Sequence, residues 1–278
     1  MIVEHSASLA DFVRDVSPFL MRYEAEHGLM LGVAAECDPV PPTAYWAVVR
    51  DEGGAIVAAA LRTTEKLILS RMEQAGAAAL IADSMREHVP EIPGVLGPPD
   101  AVAEFAERLG GEWRDGIAHR IYVCRHVVPP TGVHGTARLA QRGDSDTIVR
   151  WMQDFTREAL GKPLASEVAS ERAELKSAAG SLYVWDVDGE IVSMAAAVAP
   201  TSNAIRIGAV YTPSEQRGHG YASALTAAVT SRQLEMGRAL TFLYTDLANP
   251  ISNRIYQRIG YVPVADVAMQ LRPGVAAI

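Results

Sequence analysis

Hydrophobic and polar positions along this chain form short blocks whose period switches between two and about 3.6. Residues 45–61, YWAVVRDEGGAIVAAAL, are an apolar strand, an acidic glycine turn and a second apolar strand ending in small residues. Residues 182–198, LYVWDVDGEIVSMAAAV, repeat that order. Each block reads as a β-hairpin, with Gly53 and Gly189 at the turns. Helix-like sequence comes before each hairpin, Asp11 to Glu26 in one case and Thr147 to Ala179 in the other. After each come a further strand, an alanine-rich helix, a short strand, a second helix and a closing strand pair. The second helices stop at Gly110 and Gly260, where a left-handed residue suits a helix C-terminus.

A recurrence of this size predicts two similar α/β domains rather than a solenoid. The run Val128-Pro129-Pro130-Thr131-Gly132 breaks the periodicity. It divides the chain into residues 1–128, a linker at 129–135, and residues 136–278. The expected architecture is α/β with a mixed, mostly antiparallel central sheet flanked by helices in each domain.

Composition agrees with that picture and narrows the function classes. The chain has 278 residues, 49% hydrophobic and 21% charged, which excludes a disordered or fibrous chain. Its formal net charge of −8 disfavours nucleic acid and anionic membranes as partners and favours cations such as amines. The N-terminus lacks the basic and apolar regions of a secretory signal. The longest apolar stretch, near Ala75 to Ala82, is far short of the ~20 residues that span a bilayer. Cys37 and Cys124 stand alone, with no metal-ligand spacing. A reduced, cytoplasmic, metal-free protein is expected, as a monomer or homodimer.

The most informative segment is Val210-Tyr211-Thr212-Pro213-Ser214-Glu215-Gln216-Arg217-Gly218-His219-Gly220-Tyr221-Ala222. An apolar strand precedes it and a helix follows, with Ala222, Leu225, Ala228 and Val229 along one face. Gly218 and Gly220 allow a tight turn and close backbone approach to a ligand. The N–H groups at the helix start favour an anion, and Arg217 can add a guanidinium. The segment lacks the Lys-Ser/Thr of a Walker loop and the third glycine of a dinucleotide fingerprint. A nucleotide-binding protein is therefore the weakest reading.

A second segment, Tyr244 to Tyr261, contains Asn249-Pro250-Ile251-Ser252-Asn253-Arg254-Ile255-Tyr256. Asn249 suits an N-cap and Pro250 the first helical position. Asn249, Asn253 and Tyr256 fall on one helical face, and Ile251, Ile255 and Ile259 on another that is expected to be core.

The pattern V-x-x-P-x-x-Q-R-G-x-G-Y-A, followed by N-P-x-S-N-x-x-Y-x-x-x-G-Y, resembles the GNAT superfamily of N-acetyltransferases. The resemblance is tight over Ile205 to Val262 and looser over Thr136 to Leu271. It implies that Gln216, Arg217, Gly218, His219, Gly220, Tyr221 and Ala222 hold the pyrophosphate of acetyl-CoA. Val210, Tyr211 and Thr212 would pair with the pantetheine arm through the backbone. Asn249 and Asn253 would touch the cofactor arm. Tyr256 would protonate the departing thiolate, and a strand N–H would meet the oxyanion. No covalent enzyme intermediate is needed, because holding amine and thioester together supplies much of the rate. Many members carry a glutamate on the strand before the loop, but Ala204 to Thr212 contains no carboxylate. Asp246 is the first candidate base, with Glu158 and His219 behind it.

At the equivalent point the first half reads Leu67-Ile68-Leu69-Ser70-Arg71-Met72-Glu73-Gln74-Ala75-Gly76-Ala77-Ala78, without the glycine loop and with Glu73 opposing a phosphate. Ala106 and Glu107 stand where Asn-x-x-Tyr would be. The first half thus resembles a GNAT fold that has lost its cofactor site. The resulting expectation is an acetyl-CoA-dependent N-acetyltransferase acting on a small-molecule or peptide amine. The alternatives are a non-catalytic acyl-CoA sensor on the same fold and an acetyltransferase like that of mycothiol biosynthesis, although no thiol-sugar signature is present.

Overall fold

The computed structural model describes residues 1–35, 37, 39–63, 66–89, 91–161 and 163–275. The chain forms two compact units. The first comprises Met1–Ile121, Thr245–Asn249 and the segment from Pro263 onward. The second comprises Tyr122–Tyr244 and Pro250–Val262.

The first unit contains, in chain order, β1 (Ile2–Glu4), α1 (Leu9–Leu20), α2 (Gly28–Ala35), β2 (Tyr45–Arg50), β3 (Ile56–Arg62), β4 (Lys66–Leu69), α3 (Ala77–His88), β5 (Gly94–Gly97), α4 (Pro99–Leu109) and β6 (Arg114–Asp115). A further strand, β7 (His119–Cys124), runs from the end of the first unit into the second. The second unit continues with β8 (Thr136–Leu139), α5 (Ser145–Leu160), α6 (Ser166–Ala178), β9 (Leu182–Val187), β10 (Glu190–Val198), β11 (Ala204–Tyr211), α7 (Tyr221–Glu235), β12 (Leu240–Asp246) and α8 (Pro250–Arg258). The last strand, β13 (Val262–Leu271), returns to the first unit.

Both sheets are mixed, and they share one topology. In the first unit the order is β1-β2-β3-β4-β5, antiparallel except for the parallel pair β4–β5. In the second it is β8-β9-β10-β11-β12, antiparallel except for β11–β12. Two helices follow the first strand of each set, one helix joins the parallel pair and one follows it. The parallel strands need a helical crossover because a short turn cannot return the chain to its starting end.

The hairpins form where the pattern predicts them, as β2–β3 and β9–β10. In the first turn Gly54, rather than Gly53, has the left-handed backbone (φ +83°). Asp51 Oδ1 accepts the N–H groups of Gly53 and Ala55 there, both at 2.9 Å. The helical stretch before the second hairpin is two helices, because Gly161 ends α5 with φ +77°. Gly260 ends the last helical segment at φ +102°, and a Cβ there would sit 2.3 Å from the His126 carbonyl oxygen.

Segment exchange departs from a single-linker division. Residues 122–135 lie in the second unit, and β13 pairs antiparallel with β5, from Ala268↔Gly97 to Leu271↔Gly94, in the first. Thus β13 takes the place beyond β5 in the first unit's sheet, while residues 122–124 of β7 join the second unit.

Each sheet buries both faces. In the first unit Phe12, Val16 and Phe19 of α1 pack on one face and Ile81, Met85, Val102 and Phe105 of α3 and α4 on the other. In the second, Ile148, Trp151 and Ala173 of α5 and α6 cover one face and Leu225 and Val229 of α7 the opposite one. Among the described residues no helix is long and apolar enough to cross a membrane.

His27, only 3% exposed, fixes the chain after β4. Its Nδ1–H donates to the Leu20 carbonyl at 2.8 Å, which leaves Nε2 bare to accept the N–H of Arg71 at 3.1 Å. That arrangement requires the neutral imidazole, and burial holds the pKa below its usual value. An unfolded imidazole titrates near ~6.5, so the unfolded chain binds more protons as pH falls through that value. Stability is complete above pH ~6.5 and declines as pH falls toward the lower folded-state pKa. Burial lowers His5 and His119 in the same direction. His27→Gln is expected to flatten the acid limb of a thermal-stability profile without abolishing it. The measurement is the unfolding midpoint of both proteins from pH 7.5 to 5, and parallel curves would refute the assignment.

Candidate active site

The site is built where β11 parts from β12. Their parallel pairing extends only from Ala204↔Leu240 to Arg206↔Phe242. Past that point β11 continues beside β10 alone, which leaves the polar groups of its other edge to be satisfied elsewhere. On the β10 side the register jumps from Ala196↔Gly208 to Met194↔Tyr211. Ala209 and Val210 therefore oppose the single Ala195, a β-bulge, and Ala209 has φ +49°. A left-handed alanine is strained, and such strain concentrates at functional positions. The strand end is anchored by Ser193, whose hydroxyl donates to the Tyr211 carbonyl at 3.0 Å and lies 2.9 Å from Thr212 Oγ1.

The glycine loop follows directly. Ser214–Gln216 form a single 3-10 turn after Pro213. Gly218 and Gly220 have φ of +87° and +83°, and Gly220 starts α7 with no side-chain cap. The N–H groups of residues 218–223 donate to no acceptor among the described residues. These donors stand at the positive end of a 15-residue helix, which makes an anion site suited to a phosphate. No heavy atom comes within 4 Å of a Cβ built on Gly218, and Val133 lies 3.1 Å from one on Gly220. His219 stacks on Tyr221 with centroids 5.3 Å apart.

Arg217 is held beside the loop by a network. Its Nη2 meets Glu158 Oε2 at 2.6 Å and its Nε–H donates to the Thr212 carbonyl at 2.9 Å. Tyr211 donates its hydroxyl to Glu158 Oε1 at 3.2 Å, and the desolvated, anion-facing phenol is pushed up to about 12. Glu158, one of the candidate bases, is thus already shared by a guanidinium and a phenol. The ion pair is roughly half exposed on both sides, so it costs little to exchange for a bound phosphate.

Tyr256 projects from α8 into a cluster with Tyr122, Cys124, Ala227, Leu243, Ile259 and Tyr261. Loss of water around it pushes its phenol up to about 12, so it carries its proton throughout the neutral range. Its hydroxyl has no hydrogen-bond partner among the described residues. A protonated donor without a partner is what a departing thiolate requires. Asn253 is half-buried on the same helix.

Asp246 and Asn249 fall in the first unit. Asp246 is exposed, its Oδ1 accepts the N–H of Ala248 at 2.8 Å, and its carbonyl accepts that of Asn249 at 3.0 Å. Its charge acts on His119 of the same unit, opposing the downward pull of burial on that imidazole. The isoleucine stripe corrects its expectation. Ile259 is 2% exposed and belongs to the core, whereas Ile251 is 71% exposed. The reason is that α8 has only 9 residues and packs through its last turn.

Reading the sequence alone misses the bulge at Ala209, the Glu158–Arg217 pair and Tyr122. The bulge leaves no pattern in a run of small and apolar residues. Tyr122 is one tyrosine in an ordinary apolar strand, remote in sequence from Tyr256.

Residues 146–261 match the model of the acetyltransferase (GNAT) family. No curated protein matches the sequence. Similar solved structures include a GCN5-related N-acetyltransferase from Sphaerobacter thermophilus, at TM-score 0.63 and 18% identity, covering 99% of this chain and 97% of that one. Another is a GNAT-family acetyltransferase from Colwellia psychrerythraea, at TM-score 0.61 and 11% identity, covering 98% and 100%. A tandem GNAT protein from the clavulanic acid biosynthesis pathway matches at TM-score 0.57 and 16% identity, covering 99% of each chain. These likenesses span both units and establish the fold, and residues 146–261 of this chain are a domain of the acetyltransferase (GNAT) family.

Proposed function

We propose that the protein is an acetyl-CoA-dependent N-acetyltransferase that moves an acetyl group to a primary amine by direct attack. The observation that carries this reading is the juxtaposition, on β11 and the start of α7, of an opened strand edge and an unpaired row of N–H groups. Acetyl-CoA is a substrate with matching chemistry: a pyrophosphate for the N–H row and an amide-bearing arm for the strand edge. Gln216 to Ala222 would bind the pyrophosphate, and Val210 to Thr212 the arm. Asn249 and Asn253 are proposed as further contacts to that arm.

The reaction follows from these parts. A neutral amine attacks the thioester carbonyl carbon, and the oxyanion takes a hydrogen bond from a β11 N–H near the bulge. Collapse of the intermediate breaks the carbon–sulfur bond, and Tyr256 gives its proton to the leaving thiolate. The proton lost from the acylated nitrogen restores Tyr256 through solvent. Asp246 is retained as the candidate base for the incoming ammonium. The net charge of −8 favours a cationic acceptor. The mycothiol-type acceptor remains a second candidate within this class.

A non-catalytic acyl-CoA sensor is the alternative, favoured by the one observation that β11 carries no carboxylate. Incubation with acetyl-CoA and an amine panel, following free thiol, separates the two. Turnover is expected, whereas binding without turnover across the panel would favour the sensor. Tyr256→Phe is expected to lower kcat ~100-fold, at the low end for a lost general acid, with acetyl-CoA affinity nearly unchanged. An equal loss in both would remove Tyr256 from the donor role. Gly220→Val should weaken acetyl-CoA binding ~10-fold or more in calorimetry, because a β-branched residue resists φ > 0 and turns the N–H row away. Unaltered affinity would place the pyrophosphate elsewhere.

A further inference from the structure

Among the described residues the fully buried tyrosine hydroxyls have partners, with Tyr122 the one exception; Tyr256 beside it, only partly buried, is the other phenol of the cluster without one. Tyr45 donates to Ser84 Oγ at 3.1 Å and Tyr211 to Glu158 at 3.2 Å. Tyr183 accepts from Gln233 Nε2 at 3.3 Å. Tyr261 sits between the Thr230 and Thr241 hydroxyls, at 2.7 and 2.8 Å. Tyr122 is 0% exposed, yet its hydroxyl oxygen is buried with no hydrogen-bond partner. Leaving a buried hydroxyl unsatisfied costs about 1–3 kcal/mol, whereas phenylalanine at the same place would cost nothing of the kind.

The location of this orphan is specific. Its ring lies 6.5 Å from that of Tyr256, within the second unit and the same apolar cluster. Tyr261, 6.0 Å from Tyr256 on another side, is saturated by its two threonines. Two neighbouring phenols, Tyr122 and Tyr256, therefore keep donors unspent in the free protein. Two unspent O–H donors in a low-dielectric cluster suit an acceptor that arrives with a ligand and gains negative charge.

We propose that Tyr122 is a second donor of the leaving-group site, hydrogen-bonding the CoA sulfur as it becomes a thiolate. The inference rests on the acyl-CoA reading given above. In this arrangement Tyr256 transfers its proton to the sulfur, while Tyr122 keeps its own and lowers the energy of the developing anion through its O–H. No bond to Tyr122 forms or breaks. The strand that carries it, β7, is the last of the first half of the sequence, so that half supplies a group to the chemistry as well as a fold.

The test is Tyr122→Phe in the full chain, with CoA and desulfo-CoA as probes. Wild-type protein is expected to bind CoA more tightly than desulfo-CoA. Tyr122→Phe should cut that preference and lower kcat by ~10-fold, the size of one hydrogen bond to a charged acceptor, while the KM for the amine stays the same. Its thermal midpoint in the absence of ligand should equal or exceed that of wild type, since the hydroxyl has no partner to lose. A variant with wild-type CoA preference and kcat overturns the proposal. A variant that unfolds or melts well below wild type overturns it too, because the hydroxyl would then be serving the free protein. If wild type binds neither probe, the acyl-CoA reading itself fails, a result distinct from wild-type binding with an indifferent variant.

Discussion

A strand that stops pairing halfway along its length must find partners for the groups it leaves open. That constraint on β11 organises the second unit. The strand is joined to β12 only from Ala204 to Arg206, and its last residues keep a partner on one side alone. Beyond the bulge at Ala209 the carbonyls of residues 211–214 are met by Ser193 and by the loop itself, and the N–H groups that stay unmet are those from Gly218 into the first turn of α7. Backbone polar groups are seldom left in that state. The family to which residues 146–261 belong uses an acyl thioester with a long amide arm, and such a molecule can satisfy both the strand edge and the helix start.

The first unit shows the same topology without the opening. Its parallel pair β4–β5 also spans three residues, Lys66↔Gly94 to Ile68↔Leu96, but β4 ends one residue later at Leu69, whereas β11 runs on five residues past its pairing to Tyr211. Gly97 then lies so close to Leu69 that an added Cβ would be 2.8 Å from that residue's carbonyl oxygen. The chain after β4 also uses its own donors. Arg71 gives its N–H to His27, Glu73 gives its N–H to the Val57 carbonyl, and the Glu73 carboxylate pairs with Arg22 at 3.1 Å. An anion would meet a closed edge and an opposing carboxylate there. The same succession of strands and helices thus carries the opened strand edge and the glycine loop in one unit and neither in the other, through a handful of local choices.

Much of this was legible in the sequence because its signals are local. Hairpins show as alternating apolar runs around Asp-Gly turns, helix ends show as glycines, and the glycine loop is contiguous from Gln216 to Ala222. The duplication is legible for the same reason. Features that depend on distant pairs are not. Nothing in residues 262–271 says that β13 completes the other unit's sheet, because a strand's pattern reports its faces and not its partner. The engagement of Arg217 by Glu158 and the approach of Tyr122 to Tyr256 are likewise products of packing. Ile251 shows the converse: helical periodicity marks a face, but how much of that face is covered depends on where the neighbouring elements end.

The asymmetry we propose is that one half of a repeated fold holds an acyl-CoA site and the other does not. The most direct measurement is the calorimetric stoichiometry of acetyl-CoA binding to the full chain. The account predicts one molecule per chain. Two molecules per chain, or none, would contradict it.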